Sequence, residues 1–320
     1  MPTVVYADSA NPFLQVTCGS ADKTGTGWSW DTDESYNGTL TLNNYNGQEI
    51  AIGGVDNGKV DIVLVGDNKI TVTAPYGNRA IYTYNVSTLT FKGNGSLTID
   101  YQVVASNKVS MHGILMEGES SSKNNGNLTF DESCTVTVKV YGEVAEKNGS
   151  VDAIYMMTND IYSGNVTVGE NATLNIDLEC DSDSQTYGIF AKGNVALNGT
   201  VDIKMEYTGS GAASNTWKDV FTYASYTTCS IGTNAKITSV CPGSSGSSLT
   251  AFPLVANGGE MISSWTKVLT SEQYFENDDC LVHVWDKCAN GVSFKNYSYN
   301  KIAPPLTFED KAEYDVPATV

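Results

Sequence analysis

Aromatic and charged side chains recur at two positions of a short segment that the sequence repeats. The copies read AIYTY, GILME, AIYMM, GIFAK and VFTYA. We expect their second residues to point into a core, namely Ile81, Ile114, Ile154, Ile189 and Phe221. Because side chains alternate along a strand, the residues after them then point outward. The first outward file contains Tyr82, Leu115, Tyr155, Phe190 and Thr222, and the second contains Tyr84, Glu117, Met157, Lys192 and Ala224.

These two files could bind a carbohydrate. Sugar rings present apolar C–H faces to aromatic rings, and rings about 4.8 Å apart suit an extended chain. The predicted ligand-binding residues are Tyr82, Tyr84, Leu115, Glu117, Tyr155, Phe190 and Lys192. The alternative is that another segment of the chain covers these residues, because a contiguous apolar surface is rarely left exposed to solvent. The sequence leaves both interpretations open.

Catalysis has less support in the sequence. Lys192 and Glu117 could both face the same trough, but they lie two repeats apart, roughly 10 Å. Glycosidases need two carboxyl groups at a controlled separation, and no such pair can be assigned. No Ser or Cys nucleophile has a nearby His. We therefore predict no catalytic residue; an enzyme with this sequence would be a polysaccharide lyase or a glycosidase.

Metal-ligating residues are sparse. His112 and His283 each stand alone, which disfavours a histidine-built metal site. Two clusters have alternating oxygen donors that could hold Ca²⁺. The first contains Glu179, Asp181 and Asp183, and the second contains Asp31, Asp33 and Ser35. Neither has the twelve-residue EF-hand loop, and solvated acidic loops explain both. We predict no cofactor and no metal site, with calcium as the alternative.

Composition restricts the partners. The formal net charge is −18, from 36 acids and 18 bases, and Arg79 is the only arginine. Nucleic acid and anionic membrane surfaces are disfavoured because phosphate binding needs clustered bases. No apolar run is long enough to span a bilayer. The seven cysteines do not indicate a disulfide scaffold, although Cys280 and Cys288 could form one bridge.

The repeat itself predicts the elements that position these residues. LTFKGNGSLTI, LTFDESCTVTV and VTVGENATLNI each place two hydrophobic pairs eight residues apart, around a Gly- or Asn-rich turn. IVLVGDNKITV at Ile62 has the same spacing. With the segment before each copy, this predicts three short strands per coil and an all-β solenoid, a parallel β-helix. Hairpins of a β-sandwich are the alternative.

Asparagine marks one corner of the repeat. A Gly-Asn pair precedes the second strand of three copies, at Asn127, Asn165 and Asn194. Stacked in successive coils, these side chains could form an amide ladder that satisfies backbone groups at the corner. The alternative is that Asn is simply a common turn residue.

The chain divides into four predicted parts. Residues 1–48 form an N-terminal cap with Trp28 or Trp30 as a plug, and residues 49–250 form the β-helix coils. Residues 251–303 contain the final coils and a C-terminal cap. Residues 304–320 begin with two prolines and are interpreted as a linker to a following domain.

The coils LTFKGNGSLTI and GNVTVGENATLNI, preceded by AIYTY or AIYMM, resemble the right-handed parallel β-helix modules of large Gram-positive surface proteins. The resemblance covers roughly Gly27 to Val240. It implies an extracellular or cell-surface module, monomeric within a larger protein, that binds polysaccharide or a host surface molecule without catalysis. Pectate-lyase-like enzymes share the fold, but their calcium-binding acids and catalytic Arg or Lys have no counterpart here. A passive stalk is the third possibility.

Overall fold

The described part of the chain consists of β-strands joined by turns. A computed structural model describes residues 13–242, with gaps at 56–57, 74–78, 106–109, 119–125, 145–149, 158–163, 182–185, 209–216, 223–227 and 232–234, and four strands beyond residue 250. Within these ranges there is no helix that could cross a membrane. The predicted linker 304–320, Cys288 of the predicted bridge and Ala224 lie outside the described residues.

The strands form three sheets. Sheet 1 contains, in spatial order, β1 (Leu14–Thr17), β6 (Ile50–Gly53), β9 (Arg79–Tyr84), β12 (Met111–Glu117), β15 (Val151–Met157), β18 (Thr186–Ala191), β21 (Trp217–Thr222) and β24 (Leu254–Ala256). Sheet 2 contains β2 (Lys23–Gly25), β3 (Trp28–Thr32), β4 (Gly38–Asn43), β7 (Lys59–Val65), β10 (Thr88–Gly93), β13 (Asn127–Phe130), β16 (Val166–Val168), β19 (Val195–Leu197), β22 (Thr228–Ile231) and β27 (Val292–Lys295). Sheet 3 contains β25 (Phe275–Asn277), β26 (Cys280–Trp285), β23 (Ala235–Pro242), β20 (Thr200–Tyr207), β17 (Thr173–Cys180), β14 (Thr135–Val144), β11 (Ser96–Ala105), β8 (Asp67–Val72) and β5 (Asn46–Gly47).

Strand pairing is parallel through the middle of each sheet. From β4 to β24, each sheet takes every third strand of the chain. Antiparallel pairs occur only towards the ends of sheets 2 and 3 among the described strands, for example β3 with β4 and β23 with β26. Consecutive strands of the middle part do not pair as hairpins, so the β-sandwich alternative is wrong there. The all-β fold with long parallel sheets is compatible with a parallel β-helix.

One hydrophobic cluster is shared by all three sheets. It includes Ile81 of sheet 1, Phe91 of sheet 2 and Ile99 of sheet 3, all with no exposed surface. Phe91 stacks on Phe130 of the next strand, with ring centroids 5.2 Å apart and planes 9° apart. Trp30 is fully buried near the N-terminal end of the cluster, while Trp28 is only partly buried. Of the two candidate plugs, Trp30 is therefore the buried one.

The repeat predicted most of the strand register correctly. Leu89 pairs with Leu128, and Leu128 with Val166, as the aligned copies require. The copy at Ile62 differs, because Ile62 pairs with Phe91 and not with Leu89. This shift of two residues keeps every side chain on its predicted face, because side chains alternate with a period of two.

The register of the last copy in sheet 1 was predicted wrongly. Val220 pairs with Ile189 and is 1% exposed within the main core, and Phe221 pairs with Phe190. Thr222 pairs with Ala191. A shift of one residue exchanges the two faces of a strand. By register, the neighbour of Phe190 in the first file is therefore Phe221 and not Thr222.

The predicted amide ladder is present between Asn127 and Asn165 at the corner before sheet 2. The Asn165 side-chain amide donates to Oδ1 of Asn127 at 2.8 Å, and the backbone N–H of Asn194 donates to Oδ1 of Asn165 at 2.7 Å. A Cβ atom at Gly193 would lie 2.4 Å from Oδ1 of Asn165. The ladder thus explains both the asparagines and the glycine before Asn194.

Candidate functional site

The outer face of sheet 1, the side turned away from the main core, carries the first predicted file. The strand register places Leu115 beside Tyr82, Tyr155 beside Leu115, and Phe190 beside Tyr155. None of these four residues belongs to the main hydrophobic cluster. The prediction that they form one file on the side away from the core is therefore confirmed.

The exposure of the side chains varies along this file. Leu115 is 2% exposed and Phe190 is 7% exposed, whereas Tyr82 and Tyr155 are partly exposed. Phe190 and Tyr187 form a second hydrophobic cluster, against which Tyr155 packs. The file is therefore partly accessible at Tyr82 and Tyr155 and buried at Leu115 and Phe190.

The second predicted file runs beside the first. In register, Glu117 lies between Tyr84 and Met157. Tyr84 is 36% exposed, and Glu117 is partly exposed. Lys192 follows the end of β18 and is also partly exposed, and burial lowers its pKa. Asn85, with φ of 56°, ends β9 and donates its N–H to the carbonyl of Glu117 at 2.9 Å.

Two aromatic rings of the first file, Tyr155 and Phe190, stack on each other. The centroids of Tyr155 and Phe190 are 4.5 Å apart and their planes differ by 16°. Because this distance is close to the strand spacing, the ring faces point from strand to strand and the ring edges point away from the sheet. Tyr187 packs on Phe190 with centroids 5.1 Å apart. A ligand above Tyr155 therefore meets ring edges and the hydroxyl more readily than ring faces.

Tyr82 belongs to a polar network. Its hydroxyl donates to Oε2 of Glu117 at 2.6 Å, and Cζ of Arg79 lies 3.7 Å from its ring centroid. Nε of Arg79 lies 3.5 Å from Oε1 of Glu49. Burial and the contact with Glu117 raise the pKa of Tyr82, so its phenol remains a protonated donor. Burial also raises the pKa of Glu49, against the opposing effect of Arg79.

A third file on this face was not predicted. In register, Arg79 lies beside His112, His112 beside Asp152, and Asp152 beside Tyr187. His112 stands over Tyr155 with ring centroids 5.0 Å apart, which places this file on the same face as the aromatic residues. His112 therefore has an acidic neighbour that the sequence did not predict.

His112 and Asp152 form a buried pair. Nδ1 of His112 lies 3.0 Å from Oδ2 of Asp152, and their side chains are 6% and 0% exposed. This is an ion-pair distance, although neither atom has a well-aligned hydrogen bond to a described residue. The other carboxylate oxygen, Oδ1, accepts the backbone N–H of Tyr187 at 2.9 Å. Burial raises the pKa of Asp152, and the His112 contact opposes this effect.

The third file was missed because the side chains of these strands do not alternate strictly between the two faces of the sheet. Ala80 and Ile81 are adjacent and both are buried in the main core, so Arg79 and Tyr82 share the outer face. Four copies have a small residue directly before the repeated Ile, namely Ala80, Gly113, Ala153 and Gly188, and Gly113 shows why. A Cβ atom there would lie 2.4 Å from Cγ1 of Val138. The sequence does carry a sign of the third file, a polar or aromatic residue two positions before each repeated Ile. These residues are Arg79, His112, Asp152 and Tyr187.

The arrangement offers three kinds of chemistry. Tyr84, Glu117 and Lys192 provide partly exposed polar groups that could bind hydroxyls. The Asp152–His112 pair is of the type that orients an imidazole for proton transfer, but its burial limits access to a substrate. The third kind is a carboxylate held beside a hydrogen-bond donor, as in Glu49 beside Arg79 and Glu117 beside Tyr82.

The acidic clusters have other roles where they are described. Asp33 accepts the backbone N–H groups of Ser35 and Asn37, both at 2.8 Å, and so closes a turn. Oε1 of Glu179 lies 3.8 Å from Nζ of Lys204. No group of three or more His, Cys, Asp or Glu residues that could hold a metal ion occurs within the described ranges, which do not include Asp183.

Comparison of the chain with models of protein families, with curated proteins and with solved structures gave no match in any of the three.

Proposed function

We propose that this chain is a non-catalytic binding module of a secreted or cell-surface protein, folded as a right-handed parallel β-helix with three strands per coil. Each parallel sheet contains every third strand of the chain, and this supports a coil of three strands. Right-handed winding is the strong preference of parallel crossover connections. Such a module suits a place within a larger surface protein.

The proposed binding face is the outer face of sheet 1, and its proposed ligand is a polysaccharide or a host surface molecule. The observation that carries the proposal is the aromatic cluster on the side of the sheet away from the core, in which Tyr155 is held against Phe190 and Tyr187. Side chains fixed in this way lose little conformational freedom on binding. Tyr82, Tyr84, Glu117 and Lys192 supply the polar contacts, and Leu115 fills the space between Tyr82 and Tyr155.

A glycan and host-protein array tests the proposal. The double variant Tyr84→Ala/Tyr155→Ala should lose at least tenfold in affinity for a ligand found on the array, because stacked or hydrogen-bonded tyrosines are common binding hot spots. Tyr141→Ala is the matched control, since Tyr141 has similar exposure, 39%, on sheet 3. Equal losses in both variants, or loss of the fold in the double variant, would count against this face.

A polysaccharide lyase or glycosidase of the same fold is the second candidate, and the His112–Asp152 pair beside Tyr155 is the observation in its favour. Assays for unsaturated and reducing-end sugar products decide between the two. Binding without turnover supports the binding module. Turnover that disappears in His112→Gln would support the enzyme, and absence of both binding and turnover would support a passive stalk.

A further inference from the structure

Three carboxylates face or border the outer face of sheet 1, namely Glu49, Glu117 and Asp152. Among the cations, Arg79 stacks on Tyr82 and lies beside Glu49, so its charge is already compensated. Lys192 is partly exposed, and Lys218 follows Tyr187 in register. The charges on this face are thus nearly balanced, but the whole chain carries a net charge of −18. An anionic ligand therefore meets repulsion at longer range.

Glu117 is the carboxylate best placed to meet a ligand. It is partly exposed and lies in register beside Tyr84, the most exposed aromatic residue among those whose exposure is described on this face. Tyr82 donates to one of its oxygens at 2.6 Å. An ionised carboxylate has roughly four lone-pair positions and no donor, so Glu117 retains capacity to accept hydrogen bonds. A partner for Glu117 must therefore bring donors.

The ring geometry favours the same kind of ligand. One face of Tyr155 is covered by Phe190, and one face of Tyr82 is covered by Arg79. One face of each ring is thus unavailable for stacking, which leaves a larger share of the contact to hydrogen bonds. Hydroxyl groups both donate and accept, whereas carboxylate and sulfate groups only accept.

We propose, building on the binding function above, that the outer face of sheet 1 selects neutral, hydroxyl-rich glycans and that Glu117 determines this selection. Glu117 accepts hydrogen bonds from ligand hydroxyls and repels uronate and sulfate groups. Tyr82 fixes the orientation of the Glu117 carboxylate through its hydroxyl.

The test pairs neutral glucan, mannan and galactan oligosaccharides with the same chains oxidised at C6 to uronates. Binding is measured by calorimetry at physiological salt. We expect the neutral form of each bound pair to bind at least tenfold more tightly. Glu117→Gln should lose about fivefold in affinity for the neutral form, because hydrogen bonds to a charged acceptor are stronger than those to an amide. The same variant should reduce the preference over the uronate.

Glu179→Gln on sheet 3 is the matched control, since Glu179 is a partly exposed glutamate like Glu117, and its neighbour is Lys204. It should leave both affinities unchanged. Tighter binding of the uronate forms would overturn the selection for neutral glycans while leaving the binding face in place. An unchanged preference in Glu117→Gln would overturn the role of Glu117. If no oligosaccharide and no array glycan binds, the proposed carbohydrate-binding function itself fails.

Discussion

The outer faces of sheets 1 and 3 are built on the same parallel strand register but carry opposite chemistry. On sheet 3, Asp100, Lys139, Asp177 and Lys204 follow one another in register from strand to strand. Nζ of Lys204 lies 3.7 Å from Oδ1 of Asp177, and both side chains are more than 40% exposed. On sheet 1, the corresponding side contains stacked aromatic rings and a His–Asp pair with almost no exposed surface.

This difference separates what the fold requires from what it does not require. A solvated file of alternating charges is sufficient for the outside of a parallel sheet, as sheet 3 demonstrates. Removing a carboxylate such as Asp152 from water costs free energy unless its neighbours compensate. On sheet 1 part of that cost is offset by the backbone N–H of Tyr187, which donates to Asp152, so the two faces differ in how their charged groups are stabilised.

The largest expected effect is the loss of an aromatic side chain from sheet 1. Phe190→Ala should lower the free energy of unfolding by about 3 kcal/mol, because a buried ring leaves a cavity. Thr137→Ala on the outer face of sheet 3 should change it by less than about 0.5 kcal/mol. Urea unfolding measures both. Similar values would mean that the two faces do not differ in packing.

Asp152 should give the next largest effect. Asp152→Ala leaves the backbone N–H of Tyr187 without its acceptor and should cost about 1–3 kcal/mol. Asp177→Ala on sheet 3 should cost less than about 1 kcal/mol, because exposed ion pairs contribute little. Asp152→Asn retains an acceptor oxygen, so its cost in the free energy of unfolding should fall between those of Asp152→Ala and Asp177→Ala. A cost for Asp177→Ala as large as that for Asp152→Ala would contradict the contrast.

The buried carboxylate should also make stability depend on pH. Burial raises the pKa of Asp152 above its ordinary value of 3.8, so the folded state holds this proton more tightly than the unfolded state. Stability relative to Asp152→Asn should therefore fall as the pH rises from 3.8 through the raised pKa. We expect this change to be smaller than the loss in Asp152→Ala, because the His112 contact offsets part of the burial effect.

Unfolding curves of the wild type and of Asp152→Asn, collected between pH 3.5 and about 7, give this difference directly. Asp177→Asn is the control from sheet 3. If the stability of the wild type relative to Asp152→Asn rises with pH, the contact with His112 outweighs burial and lowers the pKa of Asp152.

The smallest expected effect concerns the charged file of sheet 3. Lys204 lies within 4 Å of Asp177, Glu179 and Glu206, at 3.7, 3.8 and 3.3 Å. Lys204→Ala should cost less than about 1 kcal/mol at low salt, and the cost should shrink at about 1 M salt, where screening is strong. A cost that is independent of salt would point to packing by the lysine side chain.

The sequence predicted the fold well where its repeats were regular. Leu89, Leu128 and Val166 share one file because equal spacing of hydrophobic pairs requires equal register. Asn127 and Asn165 stack because they occupy the same corner of successive repeats. It predicted the wrong register for Phe221, because VFTYA lacks the small first residue that aligns the other copies.

The candidate site could be predicted only in part. Alternation from the repeated isoleucines placed Tyr82, Leu115, Tyr155 and Phe190 on one face correctly. It missed Arg79, His112 and Asp152, because two adjacent buried residues interrupt the alternation. Burial of Leu115 and Phe190 also could not be read from a pattern, since it depends on which atoms from other strands cover them.

By itself, the sequence determined that this chain forms strands, which residues align from copy to copy, and that its surface is strongly acidic. These properties follow from local spacing and composition. Only the tertiary structure decided that His112 meets Asp152, that Tyr82 meets Glu117 and that the ring faces stack along the file. Those contacts join residues about 35 to 40 positions apart, and their geometry depends on how neighbouring strands pack.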